Sequence, residues 1–379
     1  MGSPTTGLAA PAPPRDRGTR QARRRQQHAG TLPSGAREGE SGAVRPARAR
    51  SRRRRPLVAL SAAALLAAAL ILATRSFPAG PSYSPVCVYP RESISALGQI
   101  DALTGHDYSC VMAYDNADPT WATWEVPWFA TTGDSDQNWA HWVSQSPSRR
   151  LIITLSLVPS EVPTDWREVC ASGAYDGYAE ALGRNLVGEG LSHSVLRISP
   201  EANDPASGVG WVGNTSGEMS AWAECWADEA KSMAVPGSHF LFDWTVNAGY
   251  EDIPFSDYYP GDAAVDIIGI DAYDALVNGQ GAPPGPERWR LLSREPGGID
   301  YLAAFAKAHG KPLSVPEWGE VAPPAGAGDD PYYVQQMAAL FKRDKVAYES
   351  YFDEADSGTL QLGEVPESLR AYRELVLHG

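Results

Sequence analysis

The sequence predicts an α/β fold: a single (β/α)₈ TIM barrel, preceded by a disordered basic tail and one transmembrane helix. The barrel is predicted by short apolar runs rich in β-branched residues, several of them apolar on both faces as buried parallel strands are, and by the helical stretches between them. Eight such units within residues 86–379 match the size of this fold. The predicted strands are Val86–Tyr89, Tyr108–Tyr114, Leu151–Leu157, Val195–Ser199, Phe240–Trp244, Val265–Asp271, Leu313–Glu317 and Val346–Phe352.

Amphipathic segments between these runs predict helices over Tyr175–Leu186, Ser220–Met233 and Gly298–His309. An open doubly wound sheet is the alternative arrangement of alternating strands and helices. It is disfavoured because no Gly-rich phosphate-binding loop follows the first run.

Residues 56–74 are predicted to form a transmembrane signal-anchor helix. Leu57 to Thr74 is a nearly unbroken run of Leu, Ala, Ile and Val, about as long as the shortest helices that span a bilayer. Four arginines, Arg52–Arg55, come directly before it, and positive residues are retained in the cytoplasm. A cleaved secretion signal is the competing interpretation. Both predict an exported body, either held at the cell membrane by a single pass or secreted.

Charge divides the chain into unlike regions. Residues 1–75 contain fifteen of the 32 basic residues and only three of the 46 acidic ones. Residues 1–55, rich in Arg, Pro, Gly and Ala, are therefore predicted to be a disordered cytoplasmic tail. Residues 75–85 are a linker, and 86–379 are the barrel domain. The strongly acidic body argues against nucleic-acid binding, which requires a positive surface.

All four cysteines lie beyond the apolar segment, which predicts two disulfides in an exported domain. Cys87 and Cys110 lie in runs predicted to be neighbouring strands, so we expect them to pair, which leaves Cys170 for Cys225. Neither CxxC spacing nor a close histidine supports a metal site, and we expect no cofactor.

Polar and aromatic side chains end several of the predicted strands, and barrel enzymes build their sites at these carboxyl ends. Glu201 ends the fourth strand and Glu317 the seventh. These strands face each other across the barrel mouth, so both carboxyls can flank one small group. Glycosidic cleavage requires this arrangement, since one carboxyl protonates the leaving oxygen while the other attacks or activates water.

Three segments resemble glycoside hydrolase family 26, a retaining family of (β/α)₈ glycosidases that includes β-mannanases. Arg197–Asn203, with Trp211 shortly after it, resembles the family's Arg-x-x-His-Glu-x-Asn segment. Tyr259–Asp262 and Val265–Tyr273 resemble its Tyr-Pro-Gly-Asp and Val-Asp-x-x-Gly-x-Asp-x-Tyr motifs. Lys311–Gly319 resembles the strand that supplies the nucleophile. The resemblance covers about residues 86 to 375 and implies that Glu201 is the acid/base and Glu317 the nucleophile.

One position departs from the family pattern. Pro200 stands where the family has a histidine that binds substrate at the cleaved linkage. This departure bears on the identity of the substrate sugar more than on the reaction mechanism. The implied substrate is therefore a mannan-like or other β-linked polysaccharide.

The remaining site residues are predicted to bind or position substrate. Tyr273 matches the family's tyrosine beside the nucleophile, and Arg197 is expected to pair with a catalytic carboxylate or its neighbours because a charge within a strand requires a partner. Asp271 is expected either to pair with Arg197 or to contact substrate. Asn203 is expected either to donate to a sugar hydroxyl or to cap a turn. The other predicted substrate-binding residues are Trp211, Trp318, Trp244, Tyr114 and Asp115, with core packing an equal alternative for Trp244.

The sequence thus predicts a monomeric retaining glycosidase, endo-acting on a β-linked polysaccharide or oligosaccharide. The alternative is a surface-anchored polysaccharide-binding protein whose barrel has no catalytic activity. The presence of both glutamates favours the enzyme.

Overall fold

The computed structural model describes residues 86–115, 119–249, 253–275, 284–355 and 358–378. Eight parallel strands close into a barrel in chain order, with β8 paired to β1. The predicted (β/α)₈ barrel is therefore confirmed. Its strands are β1 (Val86–Tyr89), β2 (Cys110–Asp115), β3 (Arg150–Leu155), β4 (Val195–Ile198), β5 (Leu241–Asn247), β6 (Ile267–Tyr273), β7 (Leu313–Gly319) and β8 (Glu349–Phe352).

Helices cover the outside of the barrel. In chain order they are α1 (Ile94–Thr104), α2 (Trp121–Trp124), α3 (Trp128–Thr131), α4 (Trp139–Ser144), α5 (Trp166–Ala171), α6 (Asp176–Gly188), α7 (Ser216–Met233), α8 (Pro286–Arg294), α9 (Ile299–Ala308), α10 (Pro331–Asp344) and α11 (Pro366–Tyr372). The longest, α7, begins with a capping box in which Thr215 and Glu218 satisfy each other's backbone N–H groups. The three helices predicted from periodicity correspond to α6, α7 and α9.

The strands β5, β6 and β7 continue past their predicted ends, so Glu317 lies within β7 rather than after it. The pairing of β7 with β8 shifts register between Val315 and Trp318. Pro316 lies at this shift and has no N–H to donate to the ladder, which accounts for the irregularity. The irregularity lies next to Glu317 at the carboxyl end of the barrel.

A polar layer fills the barrel below its carboxyl end. The Asp243 carboxylate accepts hydrogen bonds from Ser314 Oγ (2.6 Å), Tyr348 Oη (2.7 Å) and Thr245 Oγ1 (2.8 Å). Gly269 gives this layer its space, because a Cβ there would lie 2.4 Å from Thr245 Oγ1 and 2.6 Å from Asp243 Oδ1. Any larger residue at position 269 would disrupt the layer that supports the site above it.

Both predicted disulfides are confirmed. Cys87–Cys110 joins β1 to β2, and Cys170–Cys225 joins α5 to α7. They close segments with sequence separations of 23 and 55, and such cross-links stabilise a fold mainly by restricting its unfolded chain.

The predicted tail, transmembrane segment and linker, residues 1–85, lie outside the described residues. Among the helices that the structure does describe, none is both long and apolar enough to cross a bilayer.

A buried carboxyl on α7 predicts a pH-dependent stability. Glu229 is fully buried, and burial, with a smaller contribution from Asp176, raises its pKa well above the ordinary value. A raised folded-state pKa means that stability is lost as pH rises above the unfolded pKa, because the folded state must then hold a proton or bury a charge. We expect Glu229→Gln to raise the free energy of unfolding at pH 8 by about 1–3 kcal/mol, measured by denaturant titration.

Glu224→Gln is the matched control, since Glu224 is exposed on the same helix. Because this variant changes only a solvent-facing carboxyl, it should leave the free energy of unfolding at pH 8 nearly unchanged. The Glu229→Gln difference should shrink towards pH 4, where the unfolded carboxyl also binds its proton. A Glu229→Gln variant that is less stable than the native chain at pH 8 would contradict the expectation.

Candidate active site

The two predicted catalytic carboxylates meet at the carboxyl end of the barrel. Glu201 follows β4, and Glu317 lies in β7. Asp271, in β6, completes a cluster in which one carboxylate oxygen from each of the three residues lies within 4.8 Å of the others. The topology accounts for this convergence, because parallel strands of a closed barrel deliver their ends to one mouth.

Three donors surround the Glu317 carboxylate. Tyr273 Oη donates to Oε2 at 2.7 Å, while Tyr114 Oη and Arg197 Nη1 both donate to Oε1. Glu317 is only 7% exposed. All three contacts come from donors, so both Glu317 oxygens accept and the carboxylate is held in one orientation.

Arg197 lies at the centre of the site with no exposed surface. Its guanidinium pairs with Glu317 and with Asp271, and it also donates to Thr245 Oγ1 at 3.2 Å and Thr154 Oγ1 at 3.3 Å. Burial alone would lower the pKa of Arg197, but the Asp271 and Glu317 carboxylates raise it. A single permanent cation thus lies between the two carboxyl groups and offsets part of their charge.

Glu201 has a different environment. Burial, followed by the negative charge of Glu317, raises the pKa of Glu201 to about 8. Its carboxyl also makes a hydrogen-bond contact with that of Asp271, which requires a proton on one of the two. Burial also raises the pKa of Asp271, so at neutral pH the Glu201–Asp271 pair holds a proton beside the Glu317 carboxylate.

The backbone around Glu201 is constrained. Ser199 and Glu201 have φ values of 44° and 55°, a region that residues other than glycine rarely adopt. The Ser199 N–H donates to Leu155 O at 2.7 Å and the Glu201 N–H to Thr245 O at 3.1 Å. These bonds to β3 and β5 hold the turn in place, and strain of this kind is typical of functional sites.

Tyr114 contacts the nucleophile candidate rather than open solvent. Its backbone is fixed on both sides, since its N–H donates to Glu92 Oε1 at 2.6 Å and its carbonyl accepts from Trp128 Nε1 at 3.0 Å. Glu92 is not among the residues predicted for the site. Its position three residues after β1 is a detectable signal, because it is another carboxylate at a strand end.

Removing the Tyr114 hydroxyl should impair activity. A hydrogen bond to a charged group contributes about 1.5–3 kcal/mol, so Tyr114→Phe should lower kcat/KM by about ten- to a hundredfold. Tyr89→Phe is the control. Tyr89 lies 5.1 Å from Tyr114 between ring centroids, and its hydroxyl contacts Glu354. Steady-state rates of the two variants should differ clearly, and equal rates would contradict a positioning role for Tyr114.

Two tryptophans predicted to contact substrate are instead core residues. Trp244 is 1% exposed and Trp318 has no exposed surface. Neighbouring residues in a strand point to opposite faces, so an inward Glu317 directs Trp318 outward against the helices. Asp243 and Thr245 likewise face the barrel interior, so Trp244 between them faces outward. Neither ring can stack on a sugar, which corrects the sequence prediction.

The other predicted contacts occupy varied positions. Asn203 is 3% exposed and locks the end of β4 to that of β5, accepting from Asn247 N at 2.9 Å and donating to Asn247 O at 2.8 Å. This is the structural role rather than the sugar contact. Trp211 is half-buried in the loop after β4, and Asp115 lies at the end of β2, 6% exposed.

Among the residues that the structure describes, two clusters have the composition of a metal site. One is Glu201, Asp271 and Glu317, where the Arg197 guanidinium already provides cationic charge. The other is Glu229 with Cys170 and Cys225, whose sulfurs are joined in a disulfide and do not bind metal as thiolates.

Solved structures share this barrel. An endo-β-1,4-mannanase of glycoside hydrolase family 26 from Cellulomonas fimi is 15% identical, with 77% of this chain and 70% of that chain covered and a TM-score of 0.52. The chain shares the (β/α)₈ barrel fold of this enzyme. A mannanase from Bacillus subtilis is 14% identical, with 76% of this chain and 84% of that chain covered and a TM-score of 0.51. No family model and no curated protein sequence matches the chain.

Proposed function

We propose that this chain is a retaining glycosidase, an O-glycosyl hydrolase that acts within a β-linked polysaccharide. The observation that carries the proposal is the pair formed by Glu201 and Glu317, in which one carboxylate oxygen of each lies within 4.8 Å of one oxygen of the other. Retaining enzymes separate their carboxyl groups by about 5–5.5 Å, whereas inverting enzymes need about 6.5–9.5 Å to admit a water molecule. The short separation favours double displacement.

Each glutamate has the environment that its role requires. In the first step the Glu317 carboxylate attacks the anomeric carbon while Glu201 gives its proton to the leaving oxygen, forming a covalent glycosyl ester. In the second step Glu201 takes a proton from water, which displaces Glu317 and restores the original configuration. Arg197, Tyr114 and Tyr273 orient Glu317 throughout, because all three donate to its carboxylate.

The same environments favour an enzyme over the alternative, a polysaccharide-binding barrel without turnover. Sugar binding requires stacking surfaces and hydrogen bonds, but not a proton-bearing carboxyl opposite an anion held by three donors. Burying charged groups costs stability, so a site that keeps them is better explained by catalysis than by sugar binding alone.

A mannan-like backbone is the first candidate substrate, because the structural neighbours include an endo-β-1,4-mannanase. Other β-glycans are equally consistent with Pro200, which cannot provide the hydrogen bond of the family's histidine. We further propose that the barrel is exported and anchored by residues 56–74. Its two disulfides support this location, since such bonds persist in oxidising compartments.

Incubation of the full chain with β-mannan, β-xylan and β-glucan tests the function. We expect new reducing ends from at least one polymer, with products that NMR first detects as the β-anomer. The control is the double variant Glu201→Gln, Glu317→Gln, which keeps the shape of both side chains. First products in the α form would contradict retention. Binding without cleavage of any polymer would favour the non-catalytic alternative.

A further inference from the structure

A pocket of about 300 Å³ opens beside the two catalytic glutamates. It lies between the carboxyl ends of β2, β3 and β4, and neither Glu201 nor Glu317 lines it. Two of its walls nevertheless belong to the site: Tyr114, which donates to Glu317, and Ser199–Pro200, which directly precede Glu201. One side of a sugar held between the two carboxylates would therefore face this pocket.

We propose that the pocket binds a neutral sugar branch attached to the polysaccharide backbone at the cleavage site. The proposal rests on the glycosidase function proposed above and specifies its substrate as a branched β-glycan. At about 300 Å³ the pocket is at the small end of ligand sites, which fits one pendant residue rather than a second chain.

The lining accounts for a neutral ligand. Four serines provide hydroxyl oxygens that accept hydrogen bonds, with the Ser207 hydroxyl already donating to Asp204 O at 2.7 Å, and Asp115 adds a carboxylate to the lining. Within the part of the chain that the structure describes, no Lys, Arg or His lines the pocket. A carboxylate, phosphate or sulfate group would therefore enter next to a carboxylate with no cationic side chain of the described lining to pair with it. The serines are Ser156, Ser160, Ser199 and Ser207.

Apolar surface completes the lining. Leu157, Val158 and Val209 contribute aliphatic groups, and Pro200 contributes its ring. Sugars present apolar C–H faces between their hydroxyl groups, so a mixed wall of hydroxyl and aliphatic groups suits them. Pro200 thus contributes to the proposed binding of the branch, because its ring provides an apolar wall where a histidine would project a polar ring.

The pocket also depends on a small residue. A Cβ at Gly210 would lie 2.9 Å from Ser199 Oγ, so only glycine leaves this wall undisturbed. The Gly210 carbonyl accepts from Trp222 Nε1 at 2.9 Å, which anchors the wall to the buried face of α7. Ser199 in turn has the positive φ that places its hydroxyl beside the pocket.

Filling the pocket should change substrate choice without changing the chemistry. Ser160 is exposed in the loop after β3, and Val209 is half-buried on another side of the pocket. We expect Ser160→Phe and Val209→Phe, each made in the full chain, to lower kcat/KM for a branched oligosaccharide by at least about tenfold. Their kcat/KM for the linear oligosaccharide of the same backbone should stay near that of the native chain.

Ser148→Phe is the matched control, because Ser148 is an exposed serine just before β3, at the opposite end of that strand. It should leave both rates unchanged. The probes are linear, galactosyl-branched and uronic-acid-branched oligosaccharides of whichever backbone the native chain cleaves. The native chain should cleave the galactosyl-branched probe at least as well as the linear one. It should reject the acidic branch by at least about tenfold.

The outcomes separate this inference from the function on which it rests. Cleavage of linear substrate with exclusion of the galactosyl branch by the native chain would overturn the branch pocket alone. So would Phe variants that lose linear and branched activity equally, or native acceptance of the acidic branch. Absence of cleavage of every backbone by the native chain would overturn the glycosidase, and the branch pocket with it.

Discussion

Replacing Glu317 with alanine should lower kcat on a polysaccharide by at least about 10⁴-fold, because the covalent step loses its nucleophile. Sodium azide should then restore part of the rate on an aryl β-glycoside with a good leaving group. Azide fits the space vacated by the carboxylate and attacks the anomeric carbon from the same face. The product should be a glycosyl azide of inverted, α configuration, identified by NMR.

Glu320→Ala is the matched control for this variant. Glu320 directly follows β7 and is fully buried, but its carboxylate accepts from Ser368 Oγ and the Asp330 N–H, away from the catalytic pair. Its loss should affect stability, and azide should not raise its rate. An azide effect in both variants, or a β-azide from Glu317→Ala, would contradict the assignment of Glu317 as nucleophile.

The closed barrel and the pairing of the cysteines could be predicted because they depend on local patterns. Short apolar runs in the sequence indicate buried parallel strands, and the polar residues that end these runs indicate the mouth of a barrel. Glu201 and Glu317 were predicted in this way and Tyr273 from the family resemblance, and the structure brings the three side chains together. Arg197 was identified by a physical argument, since a buried charge requires a partner, and it has two.

Contacts that depend on which face of a strand a residue occupies could not be predicted. Trp318 neighbours Glu317 in the chain, yet Glu317 points into the barrel and Trp318 points out to the helices. A strand buried on both faces is apolar throughout, so its sequence does not show which residues face inward. The bond between Tyr114 and Glu317 depends on residues 203 apart in the chain, and no local pattern reports it.

The role of Glu201 predicts a second large effect, which depends on the leaving group. Glu201→Ala should lower kcat on a polysaccharide by about 10²–10⁴-fold, because an alkoxide leaves slowly without a proton. An aryl glycoside with a good leaving group needs no such proton, so its glycosylation should be nearly normal. Azide should now intercept the glycosyl ester and give the retained β-azide, opposite to the product of Glu317→Ala.

The pH dependence of kcat/KM of the native chain should report the ionisation of Glu201. Because the pKa of Glu201 is raised to about 8, its proton is present at neutral pH and is lost above that value. For a polysaccharide, kcat/KM should therefore fall as pH rises through about 8. The fall should be absent for an activated aryl glycoside and in Glu201→Ala. An alkaline limb that persists in the variant would assign the essential proton to another group, and Asp271, in contact with Glu201, would then be the residue to replace.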